Sequence, residues 1–193
     1  MIARGTAAVC VTVALLLATA RAPAPAAVQA RAPGAFPCPG AATVPSPATL
    51  DTAAVAVACL VNAHRAVHGR RPLRTQARLT DAAVRHSRDM VRRGYFGHVT
   101  PTGVAAADRI HRAGYFHAGD DWVIGEDLAW GTGVLATPQA TVAAWIASPS
   151  HERVLLNLEF VEVGVGVAAG VPFGASGATA AATYTLDAGQ TSG

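Results

Sequence analysis

The sequence predicts an α+β domain, helices first and strands after, behind a secretory leader. Three observations carry this. Apolar residues recur at helical spacing through the first half of the folded region, they alternate with a period of two after Phe160, and a positive start followed by an apolar run stands at the N-terminus. Helices followed by antiparallel strands imply layers of helix packed on sheet.

The leader comes first. Arg4 precedes an apolar run from Thr6 to Thr19, and Ala18-Thr19-Ala20 offers a small-residue cleavage site, so residues 1–20 read as a signal peptide, with cleavage as late as residue 30 compatible with the pattern. The run is shorter than the ~20 residues that cross a bilayer, which makes a retained membrane helix the weaker reading and leaves no transmembrane segment in the mature chain. Cys10 lies inside the run, against lipid attachment at a cysteine following it. A secreted, extracellular protein is expected. Residues 21–50 are rich in proline and alanine without apolar periodicity and read as an arm, and the folded domain is expected over 51–190.

Asp51 is a candidate cap for a helix to His68, with Val57, Leu60, Val61 and Val67 as apolar contacts and Gly69 as its stop. A second helix fits Gln76 to Arg93, where Leu79, Ala83, His86 and Met90 share a face and Gly94 terminates it. A short helix covers Asp108 to Ala113. Thr137-Pro138 opens another, with Val142, Trp145 and Ile146 inward. Trp122 to Trp130 reads as a strand interrupted by a loop at Gly125-Glu126-Asp127. Phe160 to Ala168 places Val163, Val165 and Val167 on one face and Gly164 and Gly166 on the other, where glycine admits a closely packed neighbour. Thr179 to Leu186 is the last strand, joined to the previous one by a hairpin over Gly170 to Gly177.

After the leader two cysteines remain, Cys38 and Cys59. In an exported chain a disulfide between them is the simplest assignment, and two unpaired thiols are the alternative. All 15 basic residues are arginine and the formal net charge is +3, one less once Arg4 is removed. The arginines are spread over helices rather than massed, which excludes nucleic acid as the expected partner but leaves a mild attraction to anionic cell-surface polymers.

Chemistry concentrates at His98 in Gly94-Tyr95-Phe96-Gly97-His98, Glu126 in Gly125-Glu126-Asp127, and His151 in Ser148-Pro149-Ser150-His151. Two imidazoles and a carboxylate are a ligand set used by catalytic zinc, and equally a set that can hydrogen-bond internally and hold three loops together. Other candidates are weaker. His151-Glu152 begins like a zinc-protease helix, but the second histidine position is Leu155. Pairing of Cys38 with Cys59 leaves no thiol for Cys-His catalysis, and Ser176 lacks a strand-to-helix elbow. Ser148 and Ser150 read as helix-end hydrogen bonders. His64 and His68, four apart at a helix end, are read as contacts to terminal carbonyls with metal binding as the alternative. His86 reads as a hydrogen-bonded core or cleft-wall residue, His111 and His117 as surface, and Tyr95, Phe96, Trp145 and Phe160 as core.

Leu60-Val61-Asn62-Ala63-His64-Arg65, Ser87-Arg88-Asp89-Met90, Phe96-Gly97-His98, Gly125-Glu126-Asp127, Trp145-x-x-Ser148-Pro149-Ser150-His151, Val163-Gly164-Val165-Gly166 and Tyr184-Thr185 together resemble, in this order, the CAP superfamily. It comprises the cysteine-rich secretory, antigen 5 and pathogenesis-related 1 proteins, and the likeness is to its secreted bacterial branch. The resemblance spans Cys59 to Gly189. It implies a three-layer α-β-α sandwich with a mainly antiparallel central sheet and a cleft lined by His98, Glu126, His151 and Ser148. His98, Glu126 and His151 match positions that can hold a divalent cation, zinc, magnesium or calcium, weakly bound. Ser148 stands where eukaryotic members carry a second glutamate, and Asp127 where asparagine is commoner.

The resulting expectation is a monomeric extracellular binding or interaction module that takes a small ligand, lipid or cell-surface component, rather than an enzyme. A metal-assisted, protease-like hydrolase in which Glu126 or a free histidine moves a proton, and a lipid or sterol carrier, are the alternatives.

Overall fold

The computed structural model describes residues 37–173 and 180–192, so the leader, most of the arm and Ser176 lie outside the described residues. The first helix, α1, runs Leu50–Val67 and buries Ala53, Ala56, Val57 and Val61. It starts one residue before Asp51, which sits in the first turn instead of capping it; Thr49 occupies the cap position and its hydroxyl is engaged with Ser46. A two-residue strand, β1 (Arg74–Thr75), follows and has no counterpart in the sequence reading. The second helix, α2 (Ala77–Arg93), is capped as its sequence suggests. The Gln76 side chain accepts from the Arg78 and Leu79 N–H groups, and Gly94 closes the helix at φ 69°, a left-handed conformation that glycine adopts without a Cβ penalty. The third, α3, spans Ala106–Arg112.

Strand β2 (Trp122–Thr132) is continuous, and this corrects the expected loop at Gly125-Glu126-Asp127. Every residue in it pairs with the last strand, β4 (Ala181–Thr191). Gly125 is there for packing: a Cβ would stand 2.8 Å from the ring of Phe160. Between these strands lie a short 3-10 turn, Gly133–Ala136, then α4 (Pro138–Ile146), α5 (Pro149–Leu155) and β3 (Glu162–Ala169). Thr137 caps α4 through the Ala140 N–H. Strand β4 runs five residues beyond the expected end at Leu186.

The sheet order is β1-β3-β4-β2, antiparallel except where β1 meets β3, and helices cover both faces. Gly164 and Gly166 face α2, where a methyl at either would collide with the backbone of Leu79–Thr80 or Ala83–Val84, so α2 lies directly on the sheet. On the opposite face, Val163, Val165, Val167, Tyr184 and Leu186 pack against α1, α4 and α5 through Val57, Val61, Trp145 and Leu155. The Trp145 indole N–H donates to the Leu128 carbonyl at 3.0 Å, which satisfies its polar edge inside this core. Phe96 departs from its expected core placement. It is 36% exposed, with its ring edge-on to Phe173.

Cys38 and Cys59 form the disulfide, with their Cα atoms 5.7 Å apart, and so tie the residues preceding α1 to its middle. The Asn62 and Arg65 side chains serve the same structural end. Asn62 exchanges two hydrogen bonds with the Leu73 backbone, and the buried Arg65 guanidinium donates to the carbonyls of Arg71, Leu155 and Asn157. Burial lowers the pKa of Arg65, with the nearby Arg70 charge adding to it, yet these carbonyls replace the water it lost.

Candidate functional site

Alternation along β2 sends Glu126 and Asp127 to opposite faces of the sheet. Glu126 pairs with Asp187, which itself pairs with Gly164, so its side chain lies on the α2 face. Three cations or potential cations surround it there. The His98 Nδ1 is 2.8 Å from Oε1, the Arg109 guanidinium of α3 donates to Oε2, and His86 Nε2 of α2 stands 4.0 Å from the same oxygen. His86 Nε2 also lies 3.1 Å from the Gly97 carbonyl, and because a carbonyl only accepts, that nitrogen carries the proton. Arg109 further donates to the carbonyls of His98 and Val104, so one guanidinium fixes both the loop bearing His98 and the carboxylate it contacts.

Only 3% of the Glu126 side chain is exposed, against 57% for His98. Burial alone would raise the Glu126 pKa, but the His98 hydrogen bond and the Arg109 charge outweigh it and hold the carboxylate below its usual range. The hydrogen bond to Glu126 raises His98 above the ordinary histidine value, while burial lowers His86. The neighbouring acids behave in the opposite way. Burial pushes Asp127 up to about 8, and pushes the fully buried Asp187 well above a normal carboxyl, with the Glu126 charge adding to both. Asp127 Oδ2 and both Asp187 oxygens are buried without a hydrogen-bond partner among the described residues, an arrangement suited to neutral carboxyls.

His151 belongs to α5, which packs on the other face, where Val154 approaches Gly125. It makes no hydrogen bond to His98 or Glu126, and its Nδ1 is buried without a partner among the described residues. Ser148 precedes α5 and its hydroxyl lies 3.2 Å from that of Ser150. The structure therefore joins His98 to Glu126 and leaves His151 and Ser148 on a separate element. As arranged, these residues do not fit a cation centre. Both Glu126 oxygens are already engaged, one by a permanent guanidinium that occupies the place of a metal charge.

Beside Glu126, α2, α3 and the Thr100–Val104 segment enclose a cavity of 570 Å³. Arg85, Arg88, Arg92, Arg93, Arg109 and Arg112 line it, and Asp89 is the acidic residue in the lining. Asp89 pairs with Arg92 and Arg93, Arg85 pairs with Asp81 and Arg109 with Glu126; Arg88 and Arg112 have no ion pair among the described residues. The Tyr95 hydroxyl donates to Asp89 at 2.9 Å and holds that carboxylate in place.

A family model described as CAP, the cysteine-rich secretory protein family, matches residues 59–172. The chain belongs to the CAP family. Its CAP domain is similar to an uncharacterized protein, YkwD, of Bacillus subtilis strain 168, 34% identical over 107 residues that make up 55% of this chain and 39% of that protein. An uncharacterized membrane protein of the same organism, YlbC, is 30% identical over 60% of this chain and 32% of its own length. This chain thus spans well under half of the relatives it matches. Among solved structures it resembles an extracellular SCP-domain protein of Bacillus anthracis Ames, with TM-score 0.61 and 25% identity over 75% of this chain and 43% of that one. An outer surface protein of Borrelia burgdorferi shares the fold at TM-score 0.56 and 18% identity, covering 69% and 89% of the two chains.

Within the CAP domain the sequence singles out His98, Glu126 and His86, and the structure sets the two histidines beside that one carboxylate; Arg109, Asp187 and the arginine-lined cavity are not singled out by it. Arg109 had no signal to find, since a short helix with three basic residues looks like any solvated helix. Asp187 did carry a signal, as the acid that ends the apolar and small-residue run from Ala180 to Leu186.

Proposed function

We propose that this CAP protein works outside the cell as a binding module whose ligand is an anionic, phosphate- or carboxylate-bearing component of a cell surface. The observation that carries this reading is the cavity beside Glu126, where six arginines meet Asp89 and two outside carboxylates, leaving an excess of positive charge around 570 Å³. Guanidinium groups hold phosphate and carboxylate through paired hydrogen bonds, and Arg88 and Arg112 are available to do so. Arg109, His98 and Glu126 act as the rigid floor that positions the loop after α2. Extracellular action is supported by the signal-peptide pattern, the Cys38–Cys59 disulfide and the extracellular or outer-surface description of structurally similar proteins.

This role asks nothing of Glu126 as a base, and with both oxygens engaged the carboxylate is poorly placed to take a proton from water. Titration of the mature chain with inorganic polyphosphate, with neutral dextran as control, tests the proposal. Binding to polyphosphate alone is expected, weakened at least tenfold by the double substitution Arg88→Ala/Arg112→Ala and by raising salt. Equal response to dextran, or no loss in the double variant, would sink it.

A further inference from the structure

His64, His68 and Glu152 form a second polar cluster, on α1 and α5 and apart from the Glu126 site. One donor atom from each lies within 4.8 Å of the others. His64 Nε2 is 3.0 Å from Glu152 Oε1, and the two imidazole rings are 4.3 Å apart between centroids. His68 Nδ1 lies 3.0 Å from the His64 carbonyl. A carbonyl only accepts, so Nδ1 is the protonated nitrogen, and in the neutral ring Nε2 keeps its lone pair. Metal-ligating histidines are oriented in this way, by a backbone carbonyl on the nitrogen that does not bind.

We infer that His64, His68 and Glu152 form a binding site for a divalent transition-metal cation, with zinc the best match. Two imidazoles and one carboxylate suit zinc and leave a fourth position open. Bonds of 2.0–2.2 Å in a tetrahedral centre put neighbouring donors about 3.4 Å apart, so the His64–Glu152 separation is already within a few tenths of an ångström of that edge. His68 supplies the remaining closure. It is exposed at the end of α1 with a donor atom within 4.8 Å of the other two, so a rotation of its side chain completes the set. On binding, the proton that His64 Nε2 shares with Glu152 passes to Nδ1 or to solvent, freeing the lone pair for the ion. The cation clips the last turn of α1 to α5. Glu152 also lines a cavity of 710 Å³ with Arg70, Arg153 and Glu159, so the open position faces a space large enough for water or a small anion.

Zinc titration of the metal-free mature chain against a chromophoric chelator tests the site, with cobalt(II) absorption reporting tetrahedral geometry. One zinc per chain is expected, with a rise in melting temperature in excess zinc. His68→Ala, at an exposed position that leaves the fold intact, is expected to weaken binding at least tenfold, as is Glu152→Gln, whereas His98→Ala is expected to leave zinc affinity unchanged. No zinc uptake overturns the inference, as does uptake that survives His68→Ala or is lost in His98→Ala.

Discussion

The two histidine–glutamate clusters of this chain share composition and differ in what holds the carboxylate. At Glu126 the side chain is 3% exposed and a guanidinium is bonded to it, whereas at Glu152 it is 34% exposed and His64 is its one side-chain hydrogen-bond partner among the described residues. The first arrangement uses its charge to fix a loop and a cavity wall. The second keeps donor atoms in reserve. Residue type alone therefore says little about metal binding; the cation already present in the fold decides which carboxylate remains available.

The largest expected effect comes from removing that internal cation. Arg109→Ala leaves Glu126 buried and charged with His98 as its remaining hydrogen-bond partner and His86 at 4.0 Å, and breaking a buried pair in this way costs about 3–5 kcal/mol. Urea unfolding should show the loss, and Arg109→Ala/Glu126→Gln should recover part of it. A loss under 1 kcal/mol would mean that Glu126 does not depend on Arg109 and that the two clusters are more alike than described.

Asp127→Asn probes the same region from the other face of β2. Burial raises the Asp127 pKa to about 8, so the folded chain binds that proton more tightly than the unfolded one does. Stability from this group is present at low pH and is lost as pH rises through that value. The amide has no such cost. The variant is expected to be more stable than the parent by about 1–3 kcal/mol at pH 8, with the difference shrinking toward pH 4. A difference that does not vary with pH would show that Asp127 is ionised throughout.

His98→Ala should have the smallest effect, below about 1 kcal/mol, because an exposed partner is screened by water. The sign with pH is definite. His98 is raised, so its contribution is full below about pH 6.5 and lost as pH rises through its folded value; Glu126 is lowered, so its contribution is full above about pH 4.5 and lost as pH falls through its folded value. The parent's advantage is greatest between these limits. Melting temperatures across pH 4 to 9 check it, and an advantage that grows above pH 8 would contradict the ion pair.

Most elements were legible because their signals are local. Gln76 and Gly94 bracket α2, and Thr137-Pro138 opens α4, through contacts made within a few residues. The same proline signal at Ser148-Pro149 marks α5, but seven residues are too few for an apolar period to show. Gly125 was misread as a break because its reason for being glycine is the Phe160 ring, 35 positions along the chain, and spacing does not reveal such a contact.

The motifs around His98 and Glu126 were enough to identify the family, and helix caps and strand alternation were enough to place most of the layers. The partners of each charged group were not contained in those patterns. Alternation turns Glu126 to the α2 face and leaves α5, with His151, on the other, while packing of α3 on α2 delivers Arg109 to the carboxylate, and side-chain hydrogen bonds between α1 and α5 join His64 to Glu152 and Arg65 to Leu155. Hydrogen bonding and burial act over a few ångströms in space, and residues that close were separated by 17 positions in one cluster and 88 in the other.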